Sequence, residues 1–140
     1  MMKIERNCPY ELSELNSLLE SVNWDEVPTN KFDKMHSLTW SWITARDETG
    51  RLIGFVRVLS DGFRHAYILG MIVHPDFQDQ GIGTAIMTEL MEMLGEQQLM
   101  PTLVAVPGKE HFYQQFGFEV ESNRFTAMCI RKPYWESRHE

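Results

Sequence analysis

Apolar positions along this chain change period several times, and each change marks an element. Lys3 to Arg6 reads as a short first strand. Pro9 suits the first position of a helix. Leu12, Leu15, Leu18, Leu19 and Val22 follow at helical spacing, with Glu11, Glu14 and Glu20 off that stripe. The helix is expected to end near Ser21 to Asn23. Trp24 to Leu38 is less regular, but Phe32, Met35 and Leu38 share one face of a short second helix. Trp40, Trp42 and Ile43 lie in a strand running to Arg46, the Asp47-Glu48-Thr49-Gly50 stretch is a turn signal, and Leu52 to Leu59 returns. Residues 40–59 therefore predict a hairpin. After a second turn at Ser60-Asp61-Gly62, His65 to Val73 is apolar on both faces and reads as a central strand. Gly70 inside it signals a bulge or a close backbone approach.

Ile82, Ala85, Ile86, Leu90, Met93 and Leu94 line one side of a longer helix that ends near Gln97. Pro101 to Val106 predicts another buried strand, which Pro107-Gly108 breaks. A short helix from Lys109 to Phe116 stops at Gly117, a good residue just past a helix end. Phe118 to Glu121 and Phe125 to Ile130 predict two more strands. The polar tail, Arg131 to Glu140, carries Tyr134 and Trp135 in exposed positions. This order predicts one domain over 1–140, with a mixed sheet covered by helices rather than an alternating doubly wound fold. The unit from His65 to Val106 is expected to be a right-handed parallel crossover.

Composition narrows the function classes. With 43% hydrophobic and 24% charged residues in 140, the chain has an ordinary globular balance. Its longest apolar run, Ala66 to Val73, is too short to span a bilayer. The charged N-terminus lacks the apolar core of a signal peptide. These features predict a cytoplasmic protein with no membrane contact. A net charge of −7 argues against nucleic-acid binding and mildly favours a cationic acceptor. Cys8 and Cys129 cannot supply a zinc ligand set, so no metal is expected, and both read as buried thiols.

The chemistry concentrates between Val73 and Ile86, where a strand end, a polar turn and a helix start follow one another. Gly81 and Gly83 sit where turn becomes helix. The first N–H groups of a helix lack intrahelical partners and carry the positive end of the dipole, so the unit is a candidate phosphate cradle. Two familiar glycine motifs fail on spacing. A phosphate loop of the Walker type needs a Lys where Thr84 stands, and a dinucleotide fingerprint needs a third glycine where Ile86 stands.

Val73-x-Pro75-x-Phe77-Gln78-x-x-Gly81-Ile82-Gly83 resembles the acyl-CoA signature of the GNAT superfamily of N-acetyltransferases. Phe112-Tyr113-Gln114-Gln115-Phe116-Gly117-Phe118 is similar to that family's Phe-Tyr-x-x-x-Gly-Phe segment, and the two lie in the family's order. The resemblance implies a mixed α/β fold of about six to seven largely antiparallel strands with a central, splayed parallel pair, flanked by about four helices. It implies acetyl-CoA as co-substrate. Backbone N–H groups of Asp79, Gln80, Gly81, Ile82, Gly83 and Thr84 would bind the CoA pyrophosphate, with Gln78 at the family's Arg/Gln position. Met71, Ile72 and Val73 match the strand positions that pair with pantetheine, where an N–H would polarise the thioester carbonyl. Tyr113 matches the usual general acid. Because the turn's side chains bring no cation and Asp79 adds an anion, phosphate binding rests on backbone groups and the helix dipole, unless Lys109 or an arginine from elsewhere contributes.

The general base is less defined. Many relatives carry a carboxylate on the central strand, but Tyr67-Ile68-Leu69-Gly70-Met71 has none. A water relay, Asp61, His65 or His111 are the alternatives. Trp24, Phe32, Trp40, Trp42 and Phe63 are candidates for an aromatic acceptor pocket, and Asp25, Glu26 and Asp33 for steering an amine. The expected activity is direct acetyl transfer from acetyl-CoA to a primary amine, small molecule or peptide, in a ternary complex. No Ser–His–Asp or Cys–His set points to an acyl-enzyme. The rival readings are a non-enzymatic acetyl-CoA sensor and a protein-interaction module on the same fold. The resemblance also allows a homodimer.

Overall fold

Strand β1 (Lys3–Arg6) pairs antiparallel with β2 (Ser41–Arg46), β2 with β3 (Leu52–Ser60), and β3 with β4 (His65–Val73). Strand β5 (Met100–Leu103) adds in parallel to β4, giving the order β1-β2-β3-β4-β5. The computed structural model describes residues 2–120, 126–130 and 135. All five strands lie in the first of two compact units, Met1–Val104. The second, Ala105–Glu140, contains helix α4 (Glu110–Gln114).

Helix α1 (Leu12–Ser21) begins later than Pro9 because Glu11 is its cap. The Glu11 side chain accepts from the backbone of Glu14, and the Glu14 side chain accepts from the Glu11 N–H at 2.9 Å. Helix α2 (Thr29–Leu38) opens directly after Pro28. Tyr10, Leu15, Leu18, Leu52, Phe55 and Ile72 form one buried cluster, with Phe32, Met35 and Trp42 packed on it, so α1 and α2 cover one sheet face. Helix α3 (Ile82–Glu96) covers the other, burying Ile82, Ile86, Met87, Leu90, Met93 and Leu94. A Cβ built on Gly54 of β3 would lie 2.7 Å from Ile86 Cδ1 and 3.1 Å from Ala45 Cβ. The strand therefore needs a glycine for α3 to approach this closely.

The sheet has five strands among the described residues, not six to seven. Phe118 to Val120 and residues 126–130 have no strand partner among the described residues, and Val120, Met128 and Ile130 are 68%, 91% and 73% exposed. An apolar alternation makes a strand only where a neighbour takes its hydrogen bonds and a face takes its side chains. The remainder of those two expected strands, residues 121 and 125, their connection and Tyr134 lie outside the described residues. Strand β5 stops at Leu103 rather than reaching Val106. Strand β4 is flanked by strands on both sides, as expected of a central strand, but it leaves His65 and Tyr67 exposed.

Candidate functional site

The β3–β4 ladder pairs Phe55 with Ile72 and then Arg57 with Leu69, so Val56 alone faces both Gly70 and Met71. This is a bulge, and Gly70 takes a φ of +63° within it. Nothing lies within 4 Å of a Cβ built there, so the glycine answers backbone conformation and not space. Beyond the bulge β4 loses its other neighbour. The parallel ladder with β5 runs from His65–Met100 to Ile68–Leu103, whereas β4 continues to Val73. The His74 N–H donates to the Ile53 carbonyl at 2.8 Å on the β3 side. By strand alternation Ile72 also faces β3, while Met71 and Val73 turn their backbone groups to the side that β5 has left. The Ile72 side chain is buried in the core below.

Past Val73 the chain makes a short 3-10 turn (Pro75–Phe77), in which His74 Nδ1 accepts from the Asp76 N–H at 3.1 Å. The Gln78 side-chain amide donates back to the Val73 carbonyl at 3.0 Å. Asp79 and Gly81 then adopt φ values of +62° and +80°. Gly81 caps α3 without any side-chain hydrogen bond, and the first intrahelical bond is Ala85 N–H to Gly81 C=O at 3.0 Å. The N–H groups of Ile82, Gly83 and Thr84 precede that bond and face out of the helix start. Buried Ile82 pins this terminus to the core. Arg51, from the β2–β3 turn, contacts the same loop. One guanidinium nitrogen lies 3.1 Å from His74 Nε2, and its carbon lies 5.9 Å from the Phe77 ring centre. Nothing in the local sequence around Arg51 marks it; only the return of β3 beside the end of β4 brings it there.

On the α1/α2 face, Tyr10, Phe32, His36, Trp42 and Phe55 form an aromatic cluster with ring centres 4.6 to 6.0 Å apart. The Tyr10 hydroxyl is 3.1 Å from His36 Nδ1. Burial pushes the Tyr10 phenol up to about 12, against a smaller lowering by nearby Arg57. Of the five aromatic candidates from the sequence, Phe32 and Trp42 belong to this cluster. Trp40 lies beside Gly62, and Trp24 and Phe63 are exposed. Asp25, Glu26 and Asp33 are all exposed.

Asp61 is occupied by its own turn. Its Oδ1 accepts from the N–H groups of Phe63, Arg64 and His65 at 2.9, 2.8 and 3.1 Å, which lowers its pKa to about 2 and makes it a weak base. His65 starts β4, roughly 16 Å of strand from Gly70. Cys8 donates to Glu5 Oε2 at 3.3 Å, and that bond, with burial, raises its pKa, the opposite of an activated thiol. Cys129 is exposed rather than buried.

In the second unit, Lys109 caps α4 and Gly117 follows it with a φ of +94°. Tyr113 is half-buried, its ring centre 5.0 Å from Phe112 and 6.2 Å from Phe118, and burial raises its phenol pKa. His111 is exposed on the same helix.

The sequence model of the acetyltransferase (GNAT) family matches residues 5–118, and the chain belongs to that family. The uncharacterized N-acetyltransferase ycf52 of Porphyra purpurea is 37% identical over 111 residues, covering 76% of this chain and 64% of that protein. Among solved structures, a protein of unknown function from meticillin-resistant Staphylococcus aureus superposes with a TM-score of 0.81 at 23% identity, over 94% of this chain and 100% of that one. The GNAT N-acetyltransferase YhbS of Escherichia coli, solved in complex with CoA, gives 0.69 at 21% identity over 84% of this chain and 68% of that one.

Proposed function

We propose that this chain transfers the acetyl group of acetyl-CoA to a primary amine by direct attack in a ternary complex. The observation that carries the reading is the continuity between the end of β4, whose β5 side is unpaired among the described residues, and the start of α3, which has no side-chain cap. One is an extended backbone edge suited to an amide-bearing arm, and the other is an anion cradle. The complex of CoA with YhbS supports the choice of ligand. The pyrophosphate would sit on the N–H groups of Asp79, Gln80, Gly81, Ile82, Gly83 and Thr84. Gln78 would hold the turn, and Arg51 would supply the cation the turn lacks. Pantetheine would run along Met71 to Val73. An outward N–H there would polarise the thioester carbonyl, worth a few kcal/mol (~3) in a dry site.

Tyr113 is assigned the leaving thiolate on its motif. A phenol at ~10 and a thiol at ~8.5 make full proton transfer uphill by roughly 2 kcal/mol, so the hydrogen bond would form first and the proton move late. A lysine-like acceptor ammonium costs roughly 4.6 kcal/mol to deprotonate at neutral pH. With Asp61 held by its turn and no carboxylate on β4 near Gly70, a water relay would carry that proton. A cytoplasmic location, a possible homodimer, one domain over 1–140 and no nucleic-acid, membrane or metal partner belong to the same proposal.

The missing strand carboxylate also favours a second reading, a CoA-binding sensor without turnover. Calorimetric titration with acetyl-CoA and a thiol-release assay across an amine panel separate the two. Absence of acetyl-CoA binding at high micromolar concentration would sink both. Binding without thiol release on any amine would leave the sensor.

A further inference from the structure

Arg57 stands apart from the other half-buried arginines of the first unit. Arg6 is paired with Glu89 and Glu96, and Arg46 with Glu14 and with the Gly50 carbonyl. Arg57 is half-buried on β3, and its one hydrogen bond among the described residues is Nη1 to Thr39 Oγ1 at 3.2 Å. A guanidinium carries five donors, and among the described residues four find no partner. Among the described residues no carboxylate acts on it. Burial holds its pKa below the usual value, and Tyr10 is its one electrostatic partner among the described residues. Tyr10 itself, pushed to about 12, is a neutral phenol near pH 7 and brings no compensating charge. Leaving a cation partly desolvated without an anion costs stability that a hydrophobic residue would not.

Its position suggests what the cost secures. Arg57 shares the α1/α2 face with Phe55, two residues along β3. It lies opposite Trp42 on β2 and opposite Leu69 on β4, the residue before Gly70. Paired side chains on one face start about 5 Å apart. The Arg57 side chain therefore starts one register pair from the strand bulge, and its guanidinium is held against Thr39 at the end of α2. On the same face Tyr67 is 41% exposed, so the sheet beside Leu69 is open to solvent.

We propose that Arg57 binds an anionic group, carboxylate or phosphate, carried by the acceptor a few bonds from its reacting amine. The acceptor is then an amino acid or an amino phosphate rather than a simple cationic amine. This rests on the acetyl-transfer reading for the identity of the amine, but not for the anion site. The overall charge of −7 points toward cationic acceptors, but a local, partly desolvated guanidinium outweighs a dispersed surface charge. The fork of a guanidinium suits both anions, because each offers two oxygens in one plane.

The test uses matched pairs on the protein saturated with CoA: phenethylamine against phenylalanine, and ethanolamine against O-phosphoethanolamine, each by calorimetry. At least one anionic member is expected to bind about tenfold or more tightly than its neutral partner. The pair that discriminates tells carboxylate from phosphate. Arg57→Gln should bring that ratio to about one without weakening the neutral member, and Arg57→Lys should keep part of it. The lysine variant guards against a loss caused by misfolding. Equal affinities within both pairs, no binding of either anionic member at millimolar concentration, or an unchanged ratio in Arg57→Gln would each overturn the proposal. Thiol release from acetyl-CoA is measured separately. An anion preference without turnover would overturn the transfer reading alone, and turnover of neutral amines without preference would overturn this one alone.

Discussion

The Gln78 side-chain amide donates to the Val73 carbonyl at 3.0 Å, tying the loop before α3 to the last residue of β4. A glutamine at this position looks like a phosphate donor in the sequence. In the structure its amide closes the turn. Gln78→Ala should therefore weaken acetyl-CoA by roughly fivefold, the worth of one net hydrogen bond. Gln78→Glu should be worse, because a carboxylate would face a carbonyl. Calorimetric affinities check the order. Equal effects of the two variants would mean that the amide serves the ligand instead.

Asp79 puts an anion next to the cradle while holding a φ of +62°. Asparagine tolerates that conformation and removes the charge. Asp79→Asn is expected to tighten acetyl-CoA by about two- to fivefold at low salt, the size of a single charge at a helix start. The gain should fade as salt rises. A gain that persists in high salt would point to altered loop geometry.

Gly54 lets α3, and with it the cradle, sit close on the sheet. A methyl there meets Ile86 Cδ1 at 2.7 Å, and Ile86 is fully buried. Gly54→Ala should cost about 1–3 kcal/mol by denaturant unfolding, as overpacking does. It should also weaken acetyl-CoA, because displacing α3 moves Ile82 to Thr84 relative to β4. Unchanged stability would mean that Ile86 rotates away freely.

Asp61 gives the fold a defined acid dependence. Its folded pKa is depressed to about 2 by the Arg64, Phe63 and His65 N–H groups, below its ordinary value of 3.8. A depressed carboxylate contributes stability that is fully present above the unfolded pKa and is lost as pH falls through the folded one. The melting-temperature advantage of the wild type over Asp61→Asn should hold at about pH 5 and shrink toward pH 2. An advantage that grows on acidification contradicts the assignment.

The elements were legible where packing obeyed local pattern. The continuous apolar run of His65 to Val73 and the stripe from Ile82 to Leu94 became β4 and α3, and Gly70 marked its bulge. Both parts of the cradle lie within one continuous stretch, so local sequence carried them. Arg51 and Arg57 were not legible. Each matters through what a neighbouring strand brings beside it, His74 in one case and Leu69 in the other, and no local spacing encodes a cross-strand partner. The alternations at 118–120 and 126–130 found no ladder among the described residues for a related reason. Alternation gives a strand its faces but not the neighbour that completes its ladder.

Tyr113 is the residue on which the chemistry can be tested most directly. Its phenol is half-buried among Phe112 and Phe118, and burial raises its pKa. A raised pKa keeps the proton on the oxygen across the working range, so the group is always loaded but gives the proton up reluctantly. In the proposed reaction it would lower the barrier only as thiolate character develops, which would place its contribution in the transition state and not in ground-state binding. Tyr113→Phe should therefore lower kcat about 10²-fold while changing acetyl-CoA affinity by less than about threefold. The wild-type rate should show no alkaline limb from this group below about pH 10. An unchanged kcat on an identified acceptor would remove Tyr113 from the reaction. A matched loss in affinity would make it a binding residue, with the thiolate protonated by water.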